Sequence, residues 1–253
     1  MVGQDHVRDR LMPGTYFDEQ LRYNEEALGR FRNLIASPDT SPEHRRQLRH
    51  TAYRRELEQL IARYSLGEPI EVLRAGYPKV IEALAEYQQQ AGGAAHDFDH
   101  FDAYVLALWI TSLAILLGVD DNEARRAVRE LDNEGRDCVF DRLVALRSPS
   151  PGRTPTATLL YPNPYQPLRD ALVAGGAEQT RLIQDFLARW YDGMQPAYWH
   201  GSHRRRDAGY FGYWCFELAA FVKGLGIDDR AFVDHPHYPR DLVHQGGSEA
   251  TTP

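Results

Sequence analysis

Two histidines four residues apart, in His96-Asp97-Phe98-Asp99-His100, are the first candidates for chemistry. On a helix that spacing puts both imidazoles on one face, where nitrogen and carboxylate donors hold a metal ion. Asp97 and Asp102 would add oxygen ligands, and the chemistry would be that of a metal-dependent hydrolase of all-helical fold. The pattern lacks the glutamate of an HExxH site, and no later histidine–aspartate pair completes the ligand set. A polar helix start with exposed histidines accounts for the same residues, and we expect no metal and no cofactor.

His200 and His203 precede Arg204-Arg205-Arg206, and three arginines beside aromatic residues are one way to grip phosphate or RNA. The run is short, Asp207 adjoins it, and the chain is acidic, so no nucleic-acid partner is expected. His235, His237 and His244 surround Pro236 and Pro239 with no zinc spacing and read as loop residues. Glu217 stands in an apolar, aromatic stretch, where a carboxylate is costly unless it is hydrogen-bonded or paired. It is either a general acid or base with a raised pKa or, the preferred reading, an anchor for a tyrosine hydroxyl, a tryptophan N–H or an arginine. The sequence contains no GxSxG elbow, no phosphate-cradling glycine loop and no cysteine–histidine nucleophile context. No catalytic residue is assigned.

These residues need helices to position them. Thr15 is placed to cap a helix from Tyr16, with Phe17, Leu21, Leu28, Phe31 and Ile35 at helical spacing and Pro38 beyond its end. Ser41-Pro42 opens a second helix that closes at Gly67. Pro69 starts a third, which Gly76 and Pro78 should break or kink. Residues 88–95 read as a connector. A fourth helix covers about 97–117 and is apolar nearly all round after Tyr104, so it belongs at the centre of its core. Gly118 ends it, and Asp120 with Glu123 caps the next. A short helix follows at 138–146, and others near 168–173 and 178–191 precede an apolar helix at 210–224.

The fold class is therefore all-α, a multi-helix bundle of nine to ten helices with essentially no sheet. Leu117-Gly118-Val119-Asp120-Asp121 recurs as Leu225-Gly226-Ile227-Asp228-Asp229. The echo is either a duplicated helical hairpin or two uses of the same chemistry, glycine to stop a helix and aspartate to restart one.

At 253 residues with 43% apolar and 26% charged residues, the chain has an ordinary globular composition. Its N-terminus lacks the apolar core of a secretory signal. Its longest apolar run, 103–118, falls short of the ~20 residues needed to span a bilayer, so a soluble cytoplasmic protein with no membrane partner is expected. Cys138 and Cys215 read as two buried thiols, with a single disulfide as the alternative. The net charge of −7 equals that of residues 97–141 alone, which hold eleven acids against four bases. A field of one sign draws in basic partners and repels nucleic acid. A solvated helical face is the plainer account.

Residues 198–242 pack Tyr198, Trp199, Tyr210, Phe211, Tyr213, Trp214 and Phe216 close together. The motifs Tyr198-Trp199-His200-Gly201, Gly209-Tyr210-Phe211-Gly212-Tyr213-Trp214-Cys215-Phe216-Glu217, Gly226-Ile227-Asp228-Asp229 and Tyr238-Pro239-Arg240-Asp241-Leu242 resemble the C-terminal domain of PoNi-type immunity proteins. Val7-Arg8-Asp9, Tyr16-Phe17 and Ala62-Arg63-Tyr64-Ser65-Leu66-Gly67-Glu68-Pro69-Ile70 resemble that family's N-terminal domain. The resemblance implies an all-helical bacterial protein encoded beside a PoNe-type DNase toxin, often a type VI secretion effector. Such a protein blocks its toxin by binding rather than by catalysis.

On this reading residues 1–147 form a PoNi-like N-terminal domain and 148–167 a proline-rich linker. Residues 168–244 form the C-terminal domain, and 245–253 a disordered tail. The partner is a cognate toxin with a basic nuclease domain, and a homodimer is left open. Trp199, His200, Tyr210, Phe211, Tyr213, Trp214, Glu217, Asp228, Asp229, Tyr238, Pro239 and Asp241 are assigned to the scaffold. Toxin contact is assigned to Asp97, Asp99, Asp102, Asp120, Asp121, Glu123, Asp132, Glu134 and Asp137.

Overall fold

A computed structural model describes residues 7–91, 96–147, 156–205 and 209–244. Among them are ten α-helices and no strand, the all-α class expected. They divide into two compact units. One is drawn from Met1–His96, Arg129–Asp132 and Gly201–Gly212, the other from Asp97–Val128, Asn133–His200 and Tyr213–Pro253. The tail at 245–253, Arg206 and the proline-rich residues 148–155 lie outside the described residues, as do 92–95 of the expected connector.

The first unit is built on α1 (Gly14–Ala36), α2 (Pro42–Leu66) and α3 (Ile70–Ala91), with α2 packed against both others. α1 starts two residues before the position expected from Thr15. The extended Pro13 stands at its N-cap, and Asp9 Oδ1 accepts the Leu11 and Met12 amides, each at 2.8 Å, just ahead of it. α2 has the ends its sequence dictates. Ser41 Oγ accepts the His44 amide at 3.2 Å, and Gly67 closes the helix at φ 99°, a left-handed conformation that costs a residue with a Cβ.

α3 does not break at Pro78. A proline inside a helix costs about 3 kcal/mol. Leu73, Tyr77, Val80, Ile81 and Leu84 are all buried around it, and burying each such side chain is worth roughly 1.5–3 kcal/mol. Packing therefore outweighs the local penalty. Gly76 fits close against α2, where an added Cβ would stand 3.3 Å from Leu60 Cδ1.

In the second unit α4 (Phe101–Leu116) is buried at every position from Tyr104 to Leu116. It packs against α6 (Cys138–Arg147) and α9 (Phe216–Leu225). α5 (Asp121–Leu131) follows α4, and its last turn belongs to the first unit. α7 (Pro162–Ala171) pairs with α8 (Gly176–Gly193), and α10 (Arg240–Val243) rests on α9. α7 begins inside the stretch read as a linker. Pro162 occupies its first turn, where a missing N–H costs nothing, and Tyr165 and Leu168 are fully buried.

The helix expected over 210–224 is shorter. Residues 209–215 are irregular, and α9 starts only at Phe216. The amides of that stretch are satisfied from far away in sequence: Tyr210 N donates to Tyr16 Oη at 2.8 Å and Cys215 N to His237 O at 2.8 Å. Both cysteines are free and buried. No helix among the described residues is long and apolar enough to cross a membrane.

Candidate functional site

The candidate metal ligands do not assemble. Residues 97–100 form a turn ahead of α4, in which Asp97 Oδ1 accepts the Asp99 amide at 3.0 Å and Asp97 O accepts the His100 amide at 3.0 Å. His96 and His100 therefore share no helical face, contrary to the expectation from their spacing. His96 is buried edge-on to Tyr53, ring centroids 5.3 Å apart, while His100 is exposed. Asp102 is taken up by the Tyr198 amide at 3.0 Å. Among the described residues no group of three or more His, Cys, Asp or Glu is placed to hold a metal ion.

Glu217, in the first turn of α9, is 0% exposed. Its Oε1 accepts Trp190 Nε1–H at 2.7 Å and the Tyr165 hydroxyl at 3.2 Å. Burial pushes its carboxyl above the usual glutamate range, against the pull of these donors and of the neighbouring Cys215 thiol. A general acid must reach the group it protonates, and this one is sealed inside the core. Its geometry is that of an anchor for one tyrosine and one tryptophan.

The Tyr165 ring meets Tyr104 edge-on at 5.4 Å, and Tyr104 donates its hydroxyl to Asp137 Oδ1 at 3.0 Å. Asp137 also accepts the Val139 and Phe140 amides at 2.8 and 3.1 Å, which caps α6, and the Leu160 amide at 2.9 Å. It is 0% exposed. The assignment of Asp137 to a contact surface is therefore corrected: its carboxylate organises the core.

Asp141 is buried as well, accepting the Gly135 and Thr156 amides at 3.1 Å each, while the other acids of residues 97–141 lie nearer to solvent and many already have partners. Asp99 and Asp97 face Arg136 at 2.7 and 3.7 Å. Asp121 pairs with Arg147 at 3.4 Å and Glu123 with Arg126 at 3.8 Å. Asp120 Oδ1 accepts the Asn122 and Glu123 amides at 2.8 and 3.0 Å, opening α5. Glu134 is exposed in the second unit, whereas Asp132, also exposed, belongs to the first.

The aromatic and charged motifs build two cores. In the first unit Arg8 Nη1 donates to the carbonyls of Tyr64 and Glu68 at 3.0 and 2.9 Å and lies 4.8 Å above the Tyr64 ring. The Tyr210 hydroxyl donates to Asp9 Oδ2 at 2.5 Å, and Ser65 Oγ to Phe211 O at 2.7 Å. Three segments distant in sequence, around 8–17, 62–70 and 209–212, thus lock together.

In the second unit Trp199 lies 5.1 Å from Trp109 and 5.9 Å from Trp190, with Tyr213 at 5.5 Å. His200 stacks on Tyr191 at 4.4 Å, and Trp214 is buried. Asp229 Oδ2 accepts the Tyr238 hydroxyl at 2.9 Å and faces His244 Nε2 at 2.8 Å. Asp228 is exposed, and its hydrogen bonds from Arg230 hold its pKa down at about 2. Pro239 caps α10, and Asp241 lies in its first turn.

The segments that meet in these cores lie within the ranges that two family models match. The model for the PoNe immunity protein (PoNi), N-terminal, matches residues 8–129, and that for PoNe immunity proteins (PoNi), C-terminal, matches residues 135–242. This chain belongs to the PoNi family. Its fold is also that of protein PA2201 from Pseudomonas aeruginosa, whose crystal structure matches with a TM-score of 0.74 at 20% identity over 94% of this chain and 90% of that one. No curated protein sequence is significantly similar.

The two PoNi matches do not coincide with the two compact units. Gly201–Gly212 lies within the C-terminal match yet belongs to the first unit, and Asp97–Val128 lies within the N-terminal match yet belongs to the second. Each unit thus takes a segment from the other half of the family pattern.

One feature of this PoNi chain escaped the sequence reading. α1, α2 and α3 enclose a groove of about 640 Å³ that gathers Glu25, Arg32, Glu56, Lys79, Glu82 and Glu86. The available signal was Val72, an apolar residue at helical spacing that is 46% exposed.

Proposed function

We propose that this PoNi protein binds a cognate DNase toxin and neutralises it without catalysis, by covering the toxin's DNA-binding or catalytic surface. The observation that carries this reading is the match to both halves of the PoNe immunity family. Two physical features support it. The candidate catalytic groups are dispersed or sealed, as Glu217 is. The excess negative charge is concentrated in residues 97–141, and a nuclease surface that binds DNA phosphates is cationic.

Within the second unit the contact set is the solvent-facing part of the original assignment: Asp97, Asp99, Asp120, Asp121, Glu123 and Glu134, with Asp102 at its margin. Asp132 belongs to the first unit and is not part of this set, and Asp137 is left out. Such a surface speeds encounter through its field, while affinity comes from a few desolvated contacts. The site of action is the bacterial cytoplasm, where a toxin delivered by a type VI secretion system meets the DNA it cuts.

Co-expression with the toxin encoded beside it tests the proposal. Cells carrying both genes should survive induction, and the two proteins should elute as one complex at moderate salt. Death regardless of this protein, together with separate elution, would overturn it.

A further inference from the structure

The groove on the first unit has helices for its walls, a floor of buried leucines, and accessible apolar surface at Ile35, Val72 and Ala75. Leu28 comes from α1, Leu60 from α2 and Val72 from α3. The stretch of α3 from Val72 to Glu86 runs about 21 Å at 1.5 Å per residue, the length of a helix of roughly four turns. A smaller depression of about 360 Å³, sharing Arg32, Ile35 and Glu86, continues it toward Arg49 and Gln89.

Most charged side chains on this groove make no direct hydrogen bond or ion pair. Arg63 is held by Glu68 at 2.8 Å. Among the described residues, Glu25, Glu56, Glu82, Glu86, Arg32 and Lys79 make no hydrogen bond or ion pair within the chain. Glu56, on the central helix, is in the least comfortable position. Burial raises its pKa even though Lys79, Arg32 and Arg63 pull it down. A carboxylate losing water without gaining a donor is a standing cost that an incoming cation would relieve.

Four carboxylates against three cations, one of them the Glu68-paired Arg63, make the groove net negative, which disfavours nucleic acid and acidic peptides. The walls also choose between backbone conformations. Helices satisfy their own N–H and C=O groups, so they offer no edge to which an extended strand could add. An occupant that brings its own backbone hydrogen bonds, a helix, fits where a strand does not.

We infer that this groove receives an amphipathic helix of three to four turns from the cognate toxin. Its apolar ridge packs on Ile35, Val72 and Ala75, and its basic side chains reach Glu56, Glu82 and Glu86. The inference rests on the immunity reading, names a second surface for the same partner, and assigns it the slow-dissociating part of the contact.

The test uses the full chain and a catalytically inactivated toxin. Ala75→Trp fills the groove from an exposed position on α3, Glu56→Lys inverts the charge on its central helix, and Asp121→Lys in the second unit is the comparison variant. Ala75→Trp and Glu56→Lys should each weaken binding by about tenfold or more, through faster dissociation, with the melting temperature within a few degrees of wild type. Asp121→Lys should leave dissociation unchanged. In wild type, amide exchange across 25–35 and 72–86 should slow in the complex, a readout that needs no variant to fold.

If wild type captures the toxin, the groove variants dissociate as slowly as wild type and these amides gain no protection, the groove assignment falls and the immunity reading stands. If wild type captures no toxin, both fall. A dimer that Ala75→Trp splits while toxin binding is unchanged identifies a second copy as the occupant and overturns the inference.

Discussion

In residues 97–141 most carboxylates have partners within the chain. Asp120 caps α5, Asp137 caps α6 and takes the Tyr104 hydroxyl, and Asp97 and Asp99 face Arg136. On the groove of the first unit the charges are fewer and of both signs, yet Glu25, Glu56, Glu82 and Glu86 carry no internal hydrogen bond or ion pair among the described residues. A dense acidic segment produces a field, which acts over a Debye length of roughly 8 Å at physiological salt whether or not each charge is locally paired. A contact needs donors and acceptors that are free. The first region is thus suited to setting how fast a basic partner arrives, and the second how slowly it leaves.

Asp137 gives the sharpest test, because it belongs to the acidic segment in sequence and to the core in space. Asp137→Ala removes the cap of α6, worth about 1 kcal/mol. It also strands the buried Tyr104 hydroxyl and Leu160 amide, at roughly 1–3 kcal/mol each. A loss of about 3–7 kcal/mol in urea unfolding is expected, with the association rate per folded molecule unchanged. A variant as stable as wild type would return Asp137 to the surface set.

A smaller effect is expected from Asp99→Lys, Asp121→Lys and Glu134→Lys combined. Exposed ion pairs contribute about 0–1 kcal/mol each, so the melting temperature should move by only a few degrees. Association with the toxin should slow by roughly tenfold at low salt and recover toward wild type as salt is raised. If dissociation changes instead, the division of roles between the two regions is wrong.

Much of the fold can be read from local chemistry. Ser41-Pro42 and Gly67 bound α2 because capping depends only on adjacent residues, and the all-apolar run after Tyr104 is a central helix because it has no wet face. The paired Leu-Gly-Val/Ile-Asp-Asp segments show where such reading stops. Gly118 and Gly226 both adopt left-handed φ, 61° and 65°. Asp120 and its counterpart Asp228 each accept the amide two residues on, at 2.8 and 3.1 Å, yet only Asp120 opens a helix. The second aspartates also diverge: Asp121 faces Arg147, whereas Asp229 accepts a hydroxyl nine residues away.

Residues 209–215 were misread for the same reason, since their amides bond to Tyr16 and His237. The site was less legible than the fold. Spacing put His96 and His100 together, but a turn separates them. The groove charges escaped notice because helical periodicity marks an apolar stripe without saying whether a core or a partner covers it.

Glu217 and Glu56 extend the comparison to two carboxylates whose pKa burial raises and that differ in their donors. Glu217 has Trp190 and Tyr165, while Glu56 has neither hydrogen bond nor ion pair among the described residues. Both are raised above the ordinary glutamate value of 4.5. Below that value folded and unfolded chains are both protonated there, and nothing is lost. As pH climbs past it the unfolded chain releases its proton first, so stability falls until the folded group also ionises, and the cost is constant beyond that point. Glu217→Gln keeps an acceptor for both donors and cannot titrate. Wild type should therefore lose stability relative to this variant as pH rises above about 4.5, until the folded carboxyl also ionises. Urea unfolding at each pH checks it, and parallel curves would show that Glu217 does not hold its proton in the fold. Glu56→Gln should give the same sign in the free protein with a smaller amplitude, because its site is only partly closed. In the toxin complex a basic side chain against Glu56 should abolish that difference while leaving the one at Glu217 intact.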